Sequence, residues 1–259
     1  TDAVFIASDL DKLKIGQDKL LTCKWLSENG LHYPKYCSCD DEKGMEELIS
    51  STGFPLIAKP RTGKGSRGVA KIENREQLKP YRGKADYCLQ ECIGDETKEY
   101  TVGCYVDKQG ILRGTIVMHR KLADGSTAVA QVVKEDAVQR EAERICRALA
   151  PRGPLNIQMR MNENGEAVCF ELNVRFSGTT PMRAHFGFRD VEAMVKEYIL
   201  EEPIEDCFQV REGIACRYTN EFYVTGNPIE DLKKDMFLKS LESYHFETEN
   251  LGTGGNGRK

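Results

Sequence analysis

Apolar positions that recur every three to four residues predict several helices along the chain. The clearest helix, residues 135–150, has one apolar stripe formed by Val138, Ala142, Ile145 and Leu149. A proline follows its last turn and ends the helix, because proline cannot continue it. The same periodicity and capping signals predict shorter helices at residues 18–29, at 41–52, after Asn74, from Asp190 to about Leu200, and from Ile229 to Leu241.

Short apolar runs between turn signals predict strands. Residues 99–107 and 111–120 flank the turn Lys108-Gln109-Gly110 and predict one hairpin, and residues 154–174 predict a second hairpin around Asn164-Gly165. Further strands are expected at residues 31–37, 54–60, 69–73, 86–91 and 127–133. Strands that arrive mostly in antiparallel pairs between helices are typical of the α+β class.

Composition and charge narrow the function classes. The chain has 259 residues and a formal net charge of −4, and the absence of a basic run argues against nucleic-acid binding. No apolar run approaches the roughly 18 residues that a membrane span needs. The chain has 10 cysteines but no C-x-x-C pair, which favours reduced, buried thiols in a cytoplasmic protein. Residues 1–6 lack the basic region that opens a signal peptide.

A glycine-rich stretch follows the strand at residues 54–60. The spacing Gly63-x-Gly65-x-x-Gly68 matches a dinucleotide-binding fingerprint, but a strand rather than a helix follows it, so a Rossmann site is not expected. A Walker P-loop also fails, because Gly65 stands where Ser or Thr should follow Lys64. Two alternatives remain: a loop whose backbone N–H groups close over a triphosphate, or a hairpin tip without a ligand.

The second hairpin collects polar side chains on one face. With Asn164-Gly165 as a two-residue turn, Gln158 pairs with Glu171 and Asn156 with Asn173, while the other face pairs apolar residues, including Met159 with Phe170. Oxygen ligands from Gln158, Glu171 and Asn173 suit Mg²⁺. A solvated sheet face is the alternative. Arg175 and Arg183 follow on a Ser/Gly/Thr-rich segment, where an arginine could hold a phosphoryl or carboxylate group.

These motifs resemble the ATP-grasp superfamily, and within it the large chain of carbamoyl phosphate synthetase and related amino-acid ligases. The resemblance runs from about Asp9 to Leu200, and its most specific part is N-x-Q followed by E-x-N-x-R. It implies that Glu171 and Asn173 hold Mg²⁺, that Gln158 completes the set, and that Arg175 contacts the transferred phosphoryl group. Val174 departs from the proline that is usual in the family.

The resemblance also implies a nucleotide site. Lys19 and Lys59 would lie at the ATP phosphates, Glu91 and the backbone near Ile93 would contact the adenine, and Glu99 would contact the ribose. One extra residue between Glu91 and Glu99 is expected to be absorbed in a loop at residues 95–97. The full set of nucleotide-binding residues implied in this way is Lys19, Lys59, Lys64, Gly65, Ser66, Arg67, Gly68, Glu91, Cys92, Ile93 and Glu99.

The implied architecture is an ATP-grasp fold with two α+β lobes and ATP between antiparallel sheets. Residues 1–18 would end an upstream segment, 19–88 form the small lobe with its glycine-rich lid, and 89–225 form the large lobe with the metal site. Residues 226–259 would be a C-terminal extension, partly flexible because its end is rich in glycine. Family members usually carry a further domain upstream.

The implied activity is Mg-ATP-dependent activation of a small acid as an acyl phosphate, which an amine or ammonia then attacks. Arg175, Lys59 and Arg183 are the expected catalytic residues, ATP and Mg²⁺ (or Mn²⁺) the cofactors, and small acids and amines the partners, without nucleic acid or membrane. Whether the chain forms a homo-oligomer is left open by the sequence. The alternatives are carbamate or bicarbonate phosphorylation, a non-catalytic ATP-binding module and, on the glycine spacing alone, an NAD-dependent oxidoreductase.

Overall fold

The computed structural model describes residues 6–218 as two antiparallel sheets with helices packed on them. The helices are α1 (Leu10–Gln17), α2 (Lys19–Glu28), α3 (Glu42–Thr52), α4 (Arg75–Leu78), α5 (Asp136–Leu149), α6 (Thr180–His185) and α7 (Asp190–Val195). The strands are β1 (Tyr36–Cys39), β2 (Leu56–Pro60), β3 (Ala70–Ile72), β4 (Lys84–Glu91), β5 (Glu99–Val106), β6 (Leu112–Ala123), β7 (Ser126–Val132), β8 (Gly153–Met161), β9 (Ala167–Asn173) and β10 (Ile214–Cys216). This arrangement confirms the expected α+β class.

The small sheet has the strand order β1-β4-β2-β3. Its core forms where Leu56 and Ala58 of β2 and Leu89 of β4 pack against Met45 and Leu48 of α3. The boundary expected between residues 88 and 89 falls inside β4, and the whole of β4 belongs to this sheet. The division of the chain into two lobes at that position stays a prediction.

The large sheet has the strand order β10-β7-β6-β5-β8-β9. One face is covered by α5, whose expected apolar stripe of Val138, Ala142, Ile145 and Leu149 is buried as predicted. The helices α1 and α2 cover β9 at the edge of the same sheet. This packing leaves the polar side chains of β8 and β9 on the opposite face.

The opposite face of the large sheet is divided in two. At one end, α7 and the segment after α6 cover it, with Phe186, Phe188 and Met194 packed on Tyr105 and Ile116. At the other end, no helix of residues 6–218 covers the polar side chains of β5, β8 and β9. The uncovered end forms the floor of a cleft.

Some elements differ from those expected. The helices α1 and α6 were not predicted, because their apolar positions are few and α1 buries no residue completely. Asp190 is the first residue of α7 and does not cap it; its carboxylate is buried beside Arg183. The helix expected to reach Leu200 changes at Lys196 into a π-helical turn, Lys196–Leu200. The predicted helix at 229–241 and the extension at 226–259 lie outside the described residues.

Among residues 6–218, every helix is too short or too polar to cross a membrane. All ten cysteines are free thiols, nine of them at least partly buried, and burial raises the pKa of Cys23 and Cys39 to about 12. A high pKa keeps a thiol protonated and unreactive.

Candidate active site

A cleft of about 850 Å³ lies between the small sheet and the polar face of the large sheet. Strand β2 and the glycine-rich loop line one side, and β5, β6, β8 and β9 line the other. The lining residues are Lys19, Ile57, Lys59, Pro60, Thr62, Gly63, Lys64, Gly65, Ser66, Arg67, Val69, Gln90, Glu91, Ile93, Glu99, Arg120, Leu122, Gln158, Arg160, Phe170 and Glu171. The structure thus brings together most residues of the expected nucleotide set.

The cleft has apolar side chains among its lining residues. These are Ile57, Ile93, Leu122 and Phe170 among others, and Glu91 also lines the cleft, with its carboxylate accepting the backbone N–H of Lys35 at 3.1 Å. A flat heterocycle gains from burial between such side chains. Cys92 is half-buried and does not line the cleft, because it alternates with Glu91 and Ile93 on an extended segment.

Four cationic side chains of the cleft come from α2, β2 and the glycine-rich loop. Lys19 begins α2, Lys59 lies near the end of β2, and Lys64 and Arg67 belong to the glycine-rich loop. Lys59 Nζ lies 4.8 Å from the centre of the Phe170 ring. Burial lowers the pKa of Lys59 below its ordinary value, although nearby Cys88 and Glu171 oppose this shift. An anion in the cleft would compensate the burial of that charge.

The N-terminus of α2 is fixed to the end of β2. The Asp18 carboxylate caps the helix by accepting the backbone N–H groups of Leu20 and Leu21. The same carboxylate pairs with the Arg61 guanidinium at 2.6 Å, and the Lys19 N–H donates to the Arg61 carbonyl at 2.9 Å. These contacts fix the position of Lys19 relative to Lys59.

The glycine-rich loop touches the β6–β7 turn across the cleft. A Cβ built on Gly125 would stand 2.3 Å from the Gly65 carbonyl oxygen, so the backbones of Gly125 and Gly65 are in close contact. Positive φ angles at Gly65, Ser66 and Gly68 shape the loop, and glycine tolerates this conformation without strain. Gly68 itself does not line the cleft; it packs against Pro60 and Tyr87.

The expected oxygen donors meet on the β8–β9 hairpin. Gln158 pairs with Glu171 and Asn156 with Asn173, in the expected register. Asn173 Nδ2 donates to Glu171 Oε1 at 2.9 Å, and Asn173 Oδ1 accepts the Arg175 guanidinium at 2.7 Å. Neutral and anionic oxygens next to one another fit a hard divalent cation such as Mg²⁺.

The remainder of the hairpin was predicted wrongly. Its turn is the loop 162–166, closed by the Asn162 N–H donating to the Glu166 carbonyl at 3.0 Å, and not the two-residue turn Asn164-Gly165. A β-bulge follows, so that Met159 pairs with Cys169 and Phe170 is the extra residue. Phe170 therefore lines the cleft and does not lie on the core face. The longer turn and the bulge each shift the register by one residue, and the two shifts cancel at Gln158.

Glu99 is buried and paired with two arginines that sequence reasoning missed. Arg120 Nε donates to Glu99 Oε1 at 2.9 Å, and Arg160 Nε donates to Glu99 Oε2 at 2.8 Å. Arg120 also donates to the Gln158 amide oxygen at 2.9 Å. A ribose hydroxyl near Glu99 would share the carboxylate with both guanidinium groups. The useful signal was on β8, where Arg160 alternates with the buried Met159 and Met161.

Arg183, one of the expected catalytic residues, does not reach the cleft. Its side chain is 1% exposed, and it lies over Gly103, where a Cβ would stand 2.0 Å from Arg183 Nη1. It donates to the Ser177 and Thr180 hydroxyls at 2.9 Å and pairs with Asp190 at 3.6 Å. The structure places Arg183 beneath the segment 177–180, where it supports that segment from below.

Beyond Gln158, Glu171 and Asn173, which we call the expected metal set, the cleft opens into a hydrophilic space of about 1050 Å³, which we call the hydroxyl pocket. Its walls are polar, and Arg175 lies on it. The residues that define it are Thr101, Asp124, Gly125, Ser126, Thr127, Asn156, Asn173, Arg175, Ser177, Gly178, Thr179 and Arg217, and it shares Lys64, Gly65, Arg67, Arg120, Gln158 and Glu171 with the cleft. Gln158 and Glu171 of the expected metal set thus line both spaces.

Comparison with known proteins identifies the family to which this chain belongs. Residues 89–222 match the sequence model of a family described as "ATP-grasp in the biosynthetic pathway with Ter operon". The carbamoyl phosphate synthase large chain of Thermotoga neapolitana is 23% identical over 191 residues, which cover 68% of this chain and 17% of that protein. The chain therefore spans less than a fifth of the length of this curated relative.

Solved structures share the fold. Biotin carboxylase from Campylobacter jejuni superposes with a TM-score of 0.69 at 18% identity, covering 82% of this chain and 53% of that one. An L-amino acid ligase from Bacillus licheniformis superposes with a TM-score of 0.56 at 16% identity, covering 72% of this chain and 48% of that one. At these identities the likeness concerns the fold alone.

Proposed function

Because this chain belongs to the ATP-grasp family, we propose that it uses Mg-ATP to activate the carboxylate of an amino acid or similar small acid for attack by an amine or ammonia. One observation carries this proposal: Gln158 and Glu171 line both the nucleotide-sized cleft and the hydroxyl pocket. A cation held there would contact the phosphates on one side and lie next to the acid on the other.

The cleft provides for each part of ATP. We assign the adenine ring to the apolar side chains of Ile93 and Phe170, the polar edge of the adenine to Glu91, and the ribose to Glu99. Lys19, Lys59, Lys64 and Arg67, with the backbone of the glycine-rich loop, are assigned to the phosphates. When bound by Gln158, Glu171 and Asn173, Mg²⁺ supplies charge neutralisation at the phosphates.

The proposed chemistry needs positioning and charge rather than a nucleophilic side chain. A carboxylate oxygen of the acid, held near Arg175, bonds to the γ-phosphorus as the bond to the bridging oxygen breaks, which gives an acyl phosphate and ADP. The amine then attacks the acyl carbon, phosphate leaves with the bonding electrons, and the amine nitrogen loses a proton to water. Lys59 and Arg175 stabilise the charge that develops on the phosphoryl oxygens.

The test is ADP release from Mg-ATP against a panel of amino acids and small carboxylates, each with and without an amine. We expect release that requires one class of acid and that Glu171→Gln reduces at least about a hundredfold, since an oxygen ligand of the metal loses its charge. Glu166→Gln is the matched control, because Glu166 is exposed in the turn of the same hairpin and outside the cleft.

The other outcomes are informative. Release that requires bicarbonate rather than an acid from the panel would support phosphorylation of bicarbonate or carbamate, which the likeness to the synthase large chain favours. Mg-ATP binding that Glu171→Gln weakens, without release under any condition, would favour a nucleotide-binding module. Equal ADP release from Glu171→Gln and Glu166→Gln would refute the metal assignment.

A further inference from the structure

Some arginines of this protein form an ion pair with a carboxylate and others do not. Most arginines within residues 6–218 form an ion pair. The exceptions in that part of the chain are Arg67, Arg175, Arg211 and Arg217, and three of these four line the hydroxyl pocket. An unbalanced guanidinium in a concave site favours an anionic ligand.

Two of these three arginines are accounted for by the proposed function. Arg67 lies on the glycine-rich loop with the phosphate-binding lysines, and Arg175 donates to Asn173 of the metal set at 2.7 Å. Arg217 has no role in that scheme. It follows β10, at the far edge of the large sheet, and reaches into the pocket to donate to the Gly178 carbonyl at 2.7 Å. This hydrogen bond uses one of its five N–H donors.

The walls between Arg175 and Arg217 are hydrophilic. Hydroxyl groups of Thr127, Ser177 and Thr179 and the carboxylate of Asp124 line the pocket, without a large apolar side chain among its lining residues in the described part of the chain. Such walls give an apolar substituent no favourable burial and can donate hydrogen bonds to oxygen atoms. The cleft differs from this pocket, because Ile57, Ile93, Leu122 and Phe170 line it.

We propose that the acid substrate is hydrophilic and carries a second anionic group, a carboxylate or a phosphate, which Arg217 binds while the reacting carboxylate lies near Arg175 and the metal set. This inference rests on the proposed function for the role of Arg175. Arg217 then selects the substrate by charge, and the hydroxyl walls select it by polarity.

The test compares pairs of probes that differ in charge and little in shape: glutamate with glutamine, aspartate with asparagine, and O-phosphoserine with serine. We expect the charged member of at least one pair to support ADP release with a kcat/KM at least about tenfold higher, the size of a charge-assisted hydrogen bond. Preference within the amino-acid pairs identifies the second group as a carboxylate, and preference within the serine pair identifies it as a phosphate.

Variants assign the selectivity to one residue. Arg217→Gln should remove the preference and leave the KM for ATP unchanged, while Arg217→Lys should keep part of it. Arg211→Gln is the matched control, because Arg211 is also unpaired but donates to the His185 carbonyl outside the cleft. Equal use of charged and neutral members by the wild-type chain, or an unchanged preference in Arg217→Gln, would overturn the inference.

A binding measurement separates this inference from the proposed function. If no probe supports ADP release, the proposed function fails, and calorimetry with a non-hydrolysable ATP analogue and Mg²⁺ then decides the inference. Binding of a charged probe that Arg217→Gln weakens at least about tenfold would support the anion site without catalysis. Absence of binding by every probe would refute it.

Discussion

The guanidinium of Arg183 occupies the space that a side chain at residue 103 would need: a Cβ on Gly103 would stand 2.0 Å from Arg183 Nη1. Gly103 pairs with Asn156 of the hydroxyl pocket, so Arg183 lies beside the pocket on the same face of the sheet. From there it donates to Ser177 and Thr180, the residues that shape one wall. We infer that Gly103 and Arg183 act as one unit.

Gly103→Ala should therefore destabilise the protein by about 1 to 3 kcal/mol, the usual cost of inserting a methyl group into a packed interior. Urea unfolding measures this loss. In the background Arg183→Met, whose flexible apolar side chain can move aside, the same substitution should cost less, because the pair is coupled. Additive losses in the double variant would show that Gly103 and Arg183 act independently.

Gly125→Ala should impair closure of the glycine-rich loop. The new Cβ would stand 2.3 Å from the Gly65 carbonyl oxygen, so the contact across the cleft cannot form as it stands. We expect the KM for ATP to rise by about tenfold, since an open loop no longer excludes water from the phosphates. Steady-state kinetics with varied ATP measures this change.

Gly110→Ala is a close control for that experiment. Gly110 also lies in a hairpin turn with a positive φ, but a Cβ there would meet no atom of the described residues within 4 Å. Both variants should lose about 1 kcal/mol of stability because alanine disfavours positive φ. A similar rise in the KM for ATP in both variants would trace the effect to the turn backbone and not to the Gly65 contact.

Glu99→Gln should affect both stability and nucleotide choice. It leaves Arg120, which is 8% exposed, without its buried counter-charge, so we expect a loss of about 3 kcal/mol. If Glu99 also contacts the ribose, the preference for ATP over 2′,3′-dideoxy-ATP should fall in this variant. Thermal unfolding and the ratio of the two nucleotide affinities measure the two effects separately.

Asp107→Asn is the stability control for Glu99→Gln. Asp107 is also a buried carboxylate next to β5 and pairs with Arg113, but it lies away from the cleft. It should lose stability without changing the ratio of ATP to dideoxy-ATP affinity. A ratio unchanged in Glu99→Gln would remove the ribose assignment and leave the residue a structural role.

ATP binding should weaken as the pH rises into the alkaline range. Burial lowers the pKa of Lys59 below its ordinary value of 10.5 in the nucleotide-free protein. Phosphate oxygens nearby favour the charged amine, so ATP binding raises this pKa and takes up a proton. Affinity therefore falls as the pH rises through the lowered pKa, and calorimetry in two buffers of different ionisation heat measures the proton uptake.

Lys59→Met tests the source of this pH dependence. The variant should bind ATP more weakly at neutral pH and lose the proton uptake, because methionine fills a similar volume without a titrating group. Wild type and variant curves that run parallel across the alkaline range would assign the proton to another group.

The sequence was sufficient to predict how the proposed metal ligands are brought together and insufficient to predict their surroundings. Gln158, Glu171 and Asn173 follow from alternation on two strands that are adjacent along the chain. The pairing of Glu99 with Arg120 and Arg160 joins three strands, and their registers depend on packing that a single sequence does not reveal. Prediction therefore worked where contacts were local along the chain.

Arg183 shows a different limit. Its neighbourhood in the sequence suggested a catalytic role, because Arg175 and the Ser/Gly/Thr-rich segment lie close by. Whether such an arginine points into the cleft or packs beside it depends on the absence of a Cβ at Gly103, eighty residues earlier. Arg183 lies on α6, a helix that was not predicted, so the direction of its side chain could not be inferred from the sequence.

The bulge at Phe170 has a consequence for how this hairpin can change through insertion and deletion. Phe170 is unpaired in the ladder, so its removal would leave Gln158 opposite Glu171 and Met159 opposite Cys169. The cleft would lose the ring next to Lys59, while the oxygen donors would keep their partners. In this hairpin, therefore, the shape of the nucleotide site can evolve by the gain or loss of one residue without disturbing the metal ligands.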